Sequence, residues 1–169
     1  FYPTKNLGAF GDGGAIRVND PERARRLRQL RNGGQSDRYK HELVGVNSRL
    51  DELHAAILRA KLRHLPEWAQ RRRTLAALYR QELQGCGVEL PEEQPYAGAV
   101  YHLYVIRHDR RDALMAALKE RGVGTLIHYP IPLHLQPCFA DLGGQPGSRP
   151  VAEREAGRQP FDDGHGREC

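Results

Sequence analysis

Only three cysteines occur in 169 residues, at Cys86, Cys138 and Cys169. They form no C-x-x-C pair and no zinc-finger spacing, so neither a disulfide framework nor a structural zinc site is expected. No apolar run approaches the ~20 residues that a membrane-crossing helix needs. No basic stretch followed by an apolar one opens the chain, as a secretory leader would. The first residue is Phe rather than Met, and the expectation is an incomplete chain from a protein of the reducing cytoplasm.

What is present is ordinary in bulk. Hydrophobic residues make up 39% and charged residues 28%, the balance of a soluble globular domain. A chain of this length can bury ~70% of its unfolded surface. Twenty-six Lys and Arg against twenty-one Asp and Glu leave a charge of +5 and a pI near 9.3. Such a balance suits nucleic acid or another polyanion. It suits equally a site that holds a nucleotide diphosphate and a phosphate-bearing cofactor.

One short stretch concentrates the chemistry. Phe1-Tyr2-Pro3-Thr4-Lys5-Asn6-Leu7-Gly8 places a lysine between a proline and a glycine, and Gly11-Asp12-Gly13-Gly14 adds a second turn. Proline and glycine punctuate the backbone on both sides of Lys5. A lysine held in a turn can be aimed at a ligand, although by pattern alone a solvated surface lysine is the commoner outcome. Ala15-Ile16-Arg17-Val18 follows and reads as a short strand.

Tyr2 to Gly8 with Gly11 to Gly14 resembles the cofactor-lysine segment of the pyridoxal-phosphate-dependent sugar-nucleotide aminotransferases of the DegT/StrS type. Two later stretches agree in order and content: Asn47-Ser48-Arg49-Leu50-Asp51-Glu52-Leu53 and His128-Tyr129-Pro130-Ile131-Pro132-Leu133-His134-Leu135-Gln136. The similarity runs from residue 1 to about residue 153 and corresponds to the second half of a family member. It implies an α/β fold: the C-terminal part of an aspartate-aminotransferase-like (fold type I) transferase with a small α+β domain. On that reading residues 1–47 end the large cofactor-binding domain. Residues 48–154 form the interdomain helices and the small domain, and residues 155–169 are a disordered or aberrant tail.

Along the chain, Asn19-Asp20-Pro21 reads as a helix start, a capping side chain followed by proline in the first turn. The helix is expected to reach Arg31, with Ala24, Leu27 and Leu30 on one side and a solvated basic face around the rest. Residues 32–46 read as irregular, since Asn32-Gly33-Gly34-Gln35-Ser36-Asp37 is turn chemistry throughout. Arg38 and Lys40 follow there, a planar fork and a mobile point charge suited to a pyrophosphate. The resemblance takes this loop into the neighbouring subunit's active site. Relatives commonly carry His where Gly33 stands, which is a departure. Ser48 is expected to cap the next helix, with Asp51 near a capping-box position. Asn47 would then precede a helix N-terminus, where free N–H groups and the helix dipole favour a phosphate. The resemblance makes Asn47 a contact to the cofactor phosphate across a dimer interface.

Pro66 is expected to restart a long helix over residues 65–83, with Trp68, Leu75, Leu78, Tyr79 and Leu83 as a core stripe and Arg71-Arg72-Arg73 as a wet basic patch. Residues 88–90, 100–106 and 123–127 read as strands. His102 alternates with apolar neighbours in the second of these and reads as a structural imidazole. A helix opened by Asp109 or Asp112 and closed by Gly122 lies between the last two. The final strand delivers His128 and Tyr129, then His134, on a loop stiffened by Pro130 and Pro132. These side chains suit hydroxyl and phosphate recognition and not a metal, because no carboxylate sits at ligand spacing beside them. Beyond residue 154 only Phe161 is large and apolar, and Asp162-Asp163-Gly164-His165-Gly166 reads as unstructured.

The resemblance implies a specific chemistry. A free lysine, with a pKa of ~10.4, is a poor base, but a covalent link to the aldehyde of pyridoxal 5'-phosphate holds that cofactor ready for amine exchange. Lys5 would carry the cofactor and then shuttle the proton. Tyr2, His128, Tyr129 and His134 would line the sugar pocket, with Arg38 and Lys40 near the pyrophosphate. The reaction implied moves an amino group, usually from glutamate, to a keto-sugar nucleotide in a homodimer with shared active sites. Three alternatives stand beside it. A sugar dehydratase of the same fold typically has His in place of the lysine, so Lys5 favours the aminotransferase. A basic nucleic-acid-binding or regulatory module would rest on the arginine helices. An inactive fragment would lack the acidic partner of the pyridine nitrogen, which relatives carry in their other half.

Overall fold

A computed structural model of the chain describes residues 1–156. These divide into two compact units. One is Phe1–Glu82 with Glu93–Tyr104; the other is Leu83–Glu92 with the described residues from Val105 onward.

In the first unit, Asp20 caps helix α1 (Pro21–Arg31) by accepting the N–H groups of Glu22 (2.8 Å) and Arg23 (3.2 Å). Pro21 sits in the first turn, where no intrahelical N–H is needed. Ala24, Leu27 and Leu30 are the half-buried side, as their spacing predicts. The buried residue between them is Gln29, whose carbonyl accepts the N–H groups of Asn32 and Gly34.

Residues 32–46 are more ordered than their composition suggests. They form a small antiparallel hairpin of β1 (Gln35–Asp37) and β2 (Lys40–His41). The turn-forming residues serve this hairpin. Tyr39 takes φ +65° at its tip, and Gly34 takes φ +81° at its base. The Gly34 carbonyl accepts from Glu42 and Leu43. A Cβ on Gly34 would lie 1.7 Å from the Leu43 carbonyl oxygen, so only glycine fits.

Helix α2 (Glu52–Leu62) starts later than expected. Asp51, not Ser48, is its N-cap, and the Asp51 side chain makes no capping bond. The Ser48 N–H instead goes to the Arg31 carbonyl, and Asn47 pairs with Asn32 in an isolated antiparallel bridge. Residues 47 and 48 are tied to the end of α1 and cannot also begin a helix.

Helix α3 (Leu65–Glu82) follows. Its expected core stripe is only partly buried: Ala69 and Ala76 are buried, while Leu75, Leu78 and Tyr79 stay about half exposed. Among the described residues no helix packs lengthwise on another, so nothing covers the full leucine side. The Arg71-Arg72-Arg73 run is also not simply wet. Arg72 donates to the carbonyls of Tyr101 (3.0 Å) and His102 (3.3 Å), and Arg73 to that of Ala99 (3.2 Å).

The second unit contains α4 (Arg111–Glu120), 3-10 turns at Leu133–Leu135 and Pro137–Leu142, and α5 (Pro150–Ala156). Gly122 closes the turn after α4 with φ +75°. The residues expected as strands at 15–18, 88–90, 100–106 and 123–127 form no ladder among the described residues. A single bridge, Glu89 to Arg107, is what remains of them. Strand-forming side chains need a hydrogen-bonding neighbour, and none lies alongside within the described residues. Glu155 and Ala156, expected in the tail, belong to α5, and the Glu155 carboxylate pairs with Arg107 at 2.8 Å. Phe161, His165 and Cys169 lie outside the described residues.

Gly34→Ala is expected to cost about 2–5 kcal/mol, the left-handed backbone and the carbonyl clash together. Gly85 has nearly the same φ, +78°, with nothing within 4 Å of an added methyl. Gly85→Ala should therefore cost only the backbone part, about 1–2 kcal/mol. Amide exchange and urea unfolding of the two variants measure the difference.

Candidate functional site

The segment around Lys5 is a closed loop. The Lys5 N–H donates to the Tyr2 carbonyl (2.9 Å) and the Ala9 N–H to the Phe1 carbonyl (2.8 Å). The Phe1 nitrogen donates to the Gly13 carbonyl at 2.6 Å. Gly8 packs against the backbone of Pro3 so closely that a Cβ would stand 2.3 Å from the Pro3 oxygen. Lys61, from α2, donates its Nζ to the Gly8 carbonyl. Gly8 and Ala9 are buried beneath the turn, and the Lys5 side chain projects from it, exposed.

The four lysines of the chain are differently engaged. Lys40 pairs with Glu42 at 2.8 Å, and that carboxylate raises its pKa. Lys61 is spent on Gly8. Lys119 lies in the last turn of α4. Lys5 has its Nζ 3.3 Å from Nε2 of His102, and among the described residues no carboxylate pairs with it. Its neighbour Asn6 donates to the Val100 carbonyl at 2.8 Å, while the Asn6 Oδ1 is buried without a partner.

Among the described residues the side chains of the other expected site residues of this unit make no hydrogen bond or ion pair to the amine. Tyr2 contributes its carbonyl to the Lys5 turn and leaves its ring about half exposed. Arg38 lies over the Tyr39 ring, 5.0 Å from its centre, and donates to the Tyr39 hydroxyl at 3.1 Å. Arg38 and Lys40 share the exposed hairpin tip. Asn47 is exposed, in its bridge to Asn32 and five residues before α2, not at the helix N-terminus its sequence suggests. No hydrogen bond or ion pair among the described residues links Arg38, Lys40 or Asn47 to Lys5. At Gly33, where relatives were expected to carry an imidazole, one is nonetheless close. His41 sits against it, with Nδ1 2.8 Å from the Gly33 carbonyl; a carbonyl only accepts, so Nδ1 donates.

In the second unit His128 and Tyr129 lie edge to face, ring centres 5.3 Å apart. Tyr129, Pro130, Ile131, Leu133 and Gln136 line a cleft of about 250 Å³. His134 is turned to Glu153, 3.0 Å from its carboxylate. That carboxylate also accepts the N–H groups of Gly147 (2.8 Å) and Arg149 (3.3 Å). The Gly147 bond foremost, with His134 and Arg149 adding to it, holds the Glu153 carboxyl below its ordinary value against the opposing effect of burial. Among the described residues no three His, Cys, Asp or Glu side chains gather as a metal site. Among the described residues no helix is long and apolar enough to cross a membrane.

His102 makes a contact that sequence reasoning did not anticipate. It was expected to be a structural imidazole, yet it is the polar neighbour of the Lys5 amine. Nothing in the sequence links two residues 97 apart.

A family profile described as the DegT/DnrJ/EryC1/StrS aminotransferase family matches residues 1–159. The chain belongs to this family. It is 56% identical over 158 residues to the erythromycin biosynthesis sensory transduction protein EryC1 of Saccharopolyspora erythraea, covering 93% of this chain and 43% of that protein. It is 52% identical over 154 residues to the dTDP-3-amino-3,4,6-trideoxy-alpha-D-glucose transaminase of Streptomyces venezuelae, covering 90% and 41%. Among solved structures, S. venezuelae DesV in complex with a ketimine intermediate superposes with a TM-score of 0.89 at 52% identity, over 92% of this chain and 42% of that one. The fold is thus that of part of a fold type I transferase. The chain spans less than half the length of the curated relatives it matches.

Two measurements test the geometry. Gly8→Ala should destabilise the first unit by about 1–3 kcal/mol, the cost of overpacking, read from thermal unfolding. The lowered carboxyl of Glu153 contributes stability in full above the ordinary value near 4.5. That contribution is lost as pH falls through the lower folded value, because the folded state must then bind a proton it disfavours. The Gly147 amide resonance should titrate below pH ~4.5, and Glu153→Gln should abolish the titration.

Proposed function

We propose that this chain is the lysine-bearing part of a pyridoxal-phosphate-dependent aminotransferase that moves an amino group from an amino acid, glutamate, to a keto-sugar nucleotide. The single observation that carries the reading is the Lys5 amine: exposed, free of any carboxylate among the described residues, and projecting from a turn that Gly8 and Lys61 hold shut. Family membership supports the general reaction, since relatives bear transaminase names.

The residues present fit the cofactor. A primary amine on a closed turn, with no carboxylate partner among the described residues, is the group an aldehyde needs, and the other three lysines are ion-paired, bonded to backbone or on a helix. When bound, pyridoxal phosphate supplies an aldehyde that exchanges amines and a ring that withdraws electrons from the adjacent carbon. Lys5 would hold it through Nζ and, once an amino donor takes that place, move a proton with the same atom. Asn47 would contact the phosphate across a homodimer interface. Arg38 and Lys40 would meet the pyrophosphate, and Tyr2, His128, Tyr129 and His134 the sugar. The hairpin tip supports the pyrophosphate assignment, because two cations there are exposed. His134 would reach the sugar only as a side chain already oriented by Glu153. The reading assigns activity to the assembled cytoplasmic enzyme, with this chain inactive alone.

A regulatory reading draws on the name of the Saccharopolyspora relative, a sensory transduction protein. If it holds in place of the enzyme, the protein should bind nucleic acid with a steep salt dependence and transfer no amino group.

In the assembled enzyme supplied with pyridoxal phosphate, borohydride should fix one cofactor at Lys5, located by mass spectrometry. Lys5→Ala should abolish both the adduct and the transfer, by 10³-fold or more, on the order of the loss when a covalent catalytic group is removed. Transfer surviving Lys5→Ala, or an adduct fixed elsewhere, sinks the assignment.

A further inference from the structure

The imidazole beside the Lys5 amine is held in place by the backbone around it. His102 lies in residues 99–102, a stretch with no strand ladder, and all four of its carbonyls are taken by side chains. Arg73 bonds the carbonyl of Ala99, Asn6 that of Val100, and Arg72 those of Tyr101 and His102. Two of these donors project from one turn of α3, and the third is the residue after Lys5. Tyr101 is held at φ +42°, a left-handed conformation that a bulky residue adopts only when its surroundings impose it. Its ring stacks on Tyr104, 5.9 Å between centres, and Tyr104 stacks on Tyr79 of α3 at 5.1 Å. The segment is therefore fixed both to the helix and to the lysine turn, and it presents the half-buried His102 ring in one place.

The contact has a defined chemistry. A lysine ammonium has three donors and no acceptor. At 3.3 Å from Nε2 it can only donate, and Nε2 accepts when the hydrogen of the neutral ring is on Nδ1. A flexible four-carbon side chain gains a direction in this way, and two N–H positions remain for other partners.

We propose that His102 is a positioning residue for Lys5, its Nε2 accepting a hydrogen from Nζ and fixing the direction in which the amine points. The functional meaning rests on Lys5 being the reacting amine, but the contact itself can be measured without cofactor.

The test uses the full chain and its four lysines. Competitive acylation with acetic anhydride near neutral pH, read peptide by peptide, gives the reactivity of Lys5 relative to Lys40, Lys61 and Lys119. His102→Phe removes the acceptor and keeps a ring. It should change the relative reactivity of Lys5 by about threefold or more, the scale of one lost hydrogen bond, with the other three unaltered. His102→Gln places a polar group near the position of Nε2 and should restore the wild-type ratio. Wild-type reactivity in His102→Phe overturns the proposal, and so does an equal change in both variants, which would make ring shape rather than the nitrogen the cause. Should His102→Phe disturb the other lysines, nitrogen NMR of histidine-labelled wild-type chain decides. His102 should appear as the Nδ1–H tautomer, with an Nε2 resonance that moves on Lys5→Met. An Nε2–H tautomer, or a resonance indifferent to Lys5, overturns it. Because neither measurement involves pyridoxal phosphate, their failure leaves the borohydride result standing on its own.

Discussion

Around Lys5 several backbone carbonyls are satisfied by long cationic side chains rather than by ladders. Lys61 reaches from α2 to the carbonyl of Gly8, and Arg72 and Arg73 reach from α3 to those of residues 99, 101 and 102. A buried or half-buried carbonyl without a partner is costly, and irregular chain offers few backbone donors at the right spacing. Charged donors make stronger bonds than neutral ones, and the long Lys and Arg side chains carry them to carbonyls on distant segments. The irregular segments of the first unit can therefore be as well defined as a sheet, provided helices stand close by to carry the cations. The placement of Lys5 follows from this. Gly8 brings the turn onto itself, Lys61 holds it to α2, and the pinned segment 99–102 faces the amine.

The helices and the lysine turn were legible in the sequence because their causes are local. Asp20 and Pro21 specify the start of α1 within two residues, and the apolar spacing of residues 24, 27 and 30 selects its inner face. The start of α2 was misplaced because a second, nonlocal demand competed. Ser48 has the chemistry of a cap, but its N–H is claimed by Arg31 from the preceding helix. The hairpin at residues 35–41 was missed for a related reason. Gly33 and Gly34 permit positive φ and Tyr39 gives no such sign, and only the fit of Gly34 against Leu43 turns these residues into a hairpin instead of a loop. The strands fail most plainly. Val, Tyr and Ile in residues 100–106 state a preference for extended chain, and extended chain becomes a strand only beside another.

The candidate site divides along the same line. Lys5 is visible as a residue type in a punctuated turn, and Arg38 and Lys40 as charges in turn chemistry. His134 is visible as an imidazole but not as one held by Glu153, since that contact depends on α5 folding back 19 residues later. His102 is invisible: its relation to Lys5 is made by Arg72, Asn6 and a stack of tyrosine rings. A sequence pattern can indicate that a residue is available for chemistry. Whether it faces another such residue is decided by packing.

The same bonding bears on what the excess of positive charge means. A charge of +5 invites a polyanion as partner, and the Arg71-Arg72-Arg73 run looks like the place for one. A guanidinium already bonded to backbone carbonyls can meet a phosphate only by giving up those bonds or sharing them. Arg72 makes two such bonds and Arg73 one. Arg25 pairs with Glu22, and Arg107 is shared between Glu89 and Glu155. These four arginines are thus structural, spent on holding irregular chain and helix ends. Affinity for nucleic acid scales with the number of phosphates that free cations can neutralise, so the formal charge overstates what this surface offers. The exposed hairpin tip, with Arg38 laid over a tyrosine ring, is a better match for one small anion than for a long one.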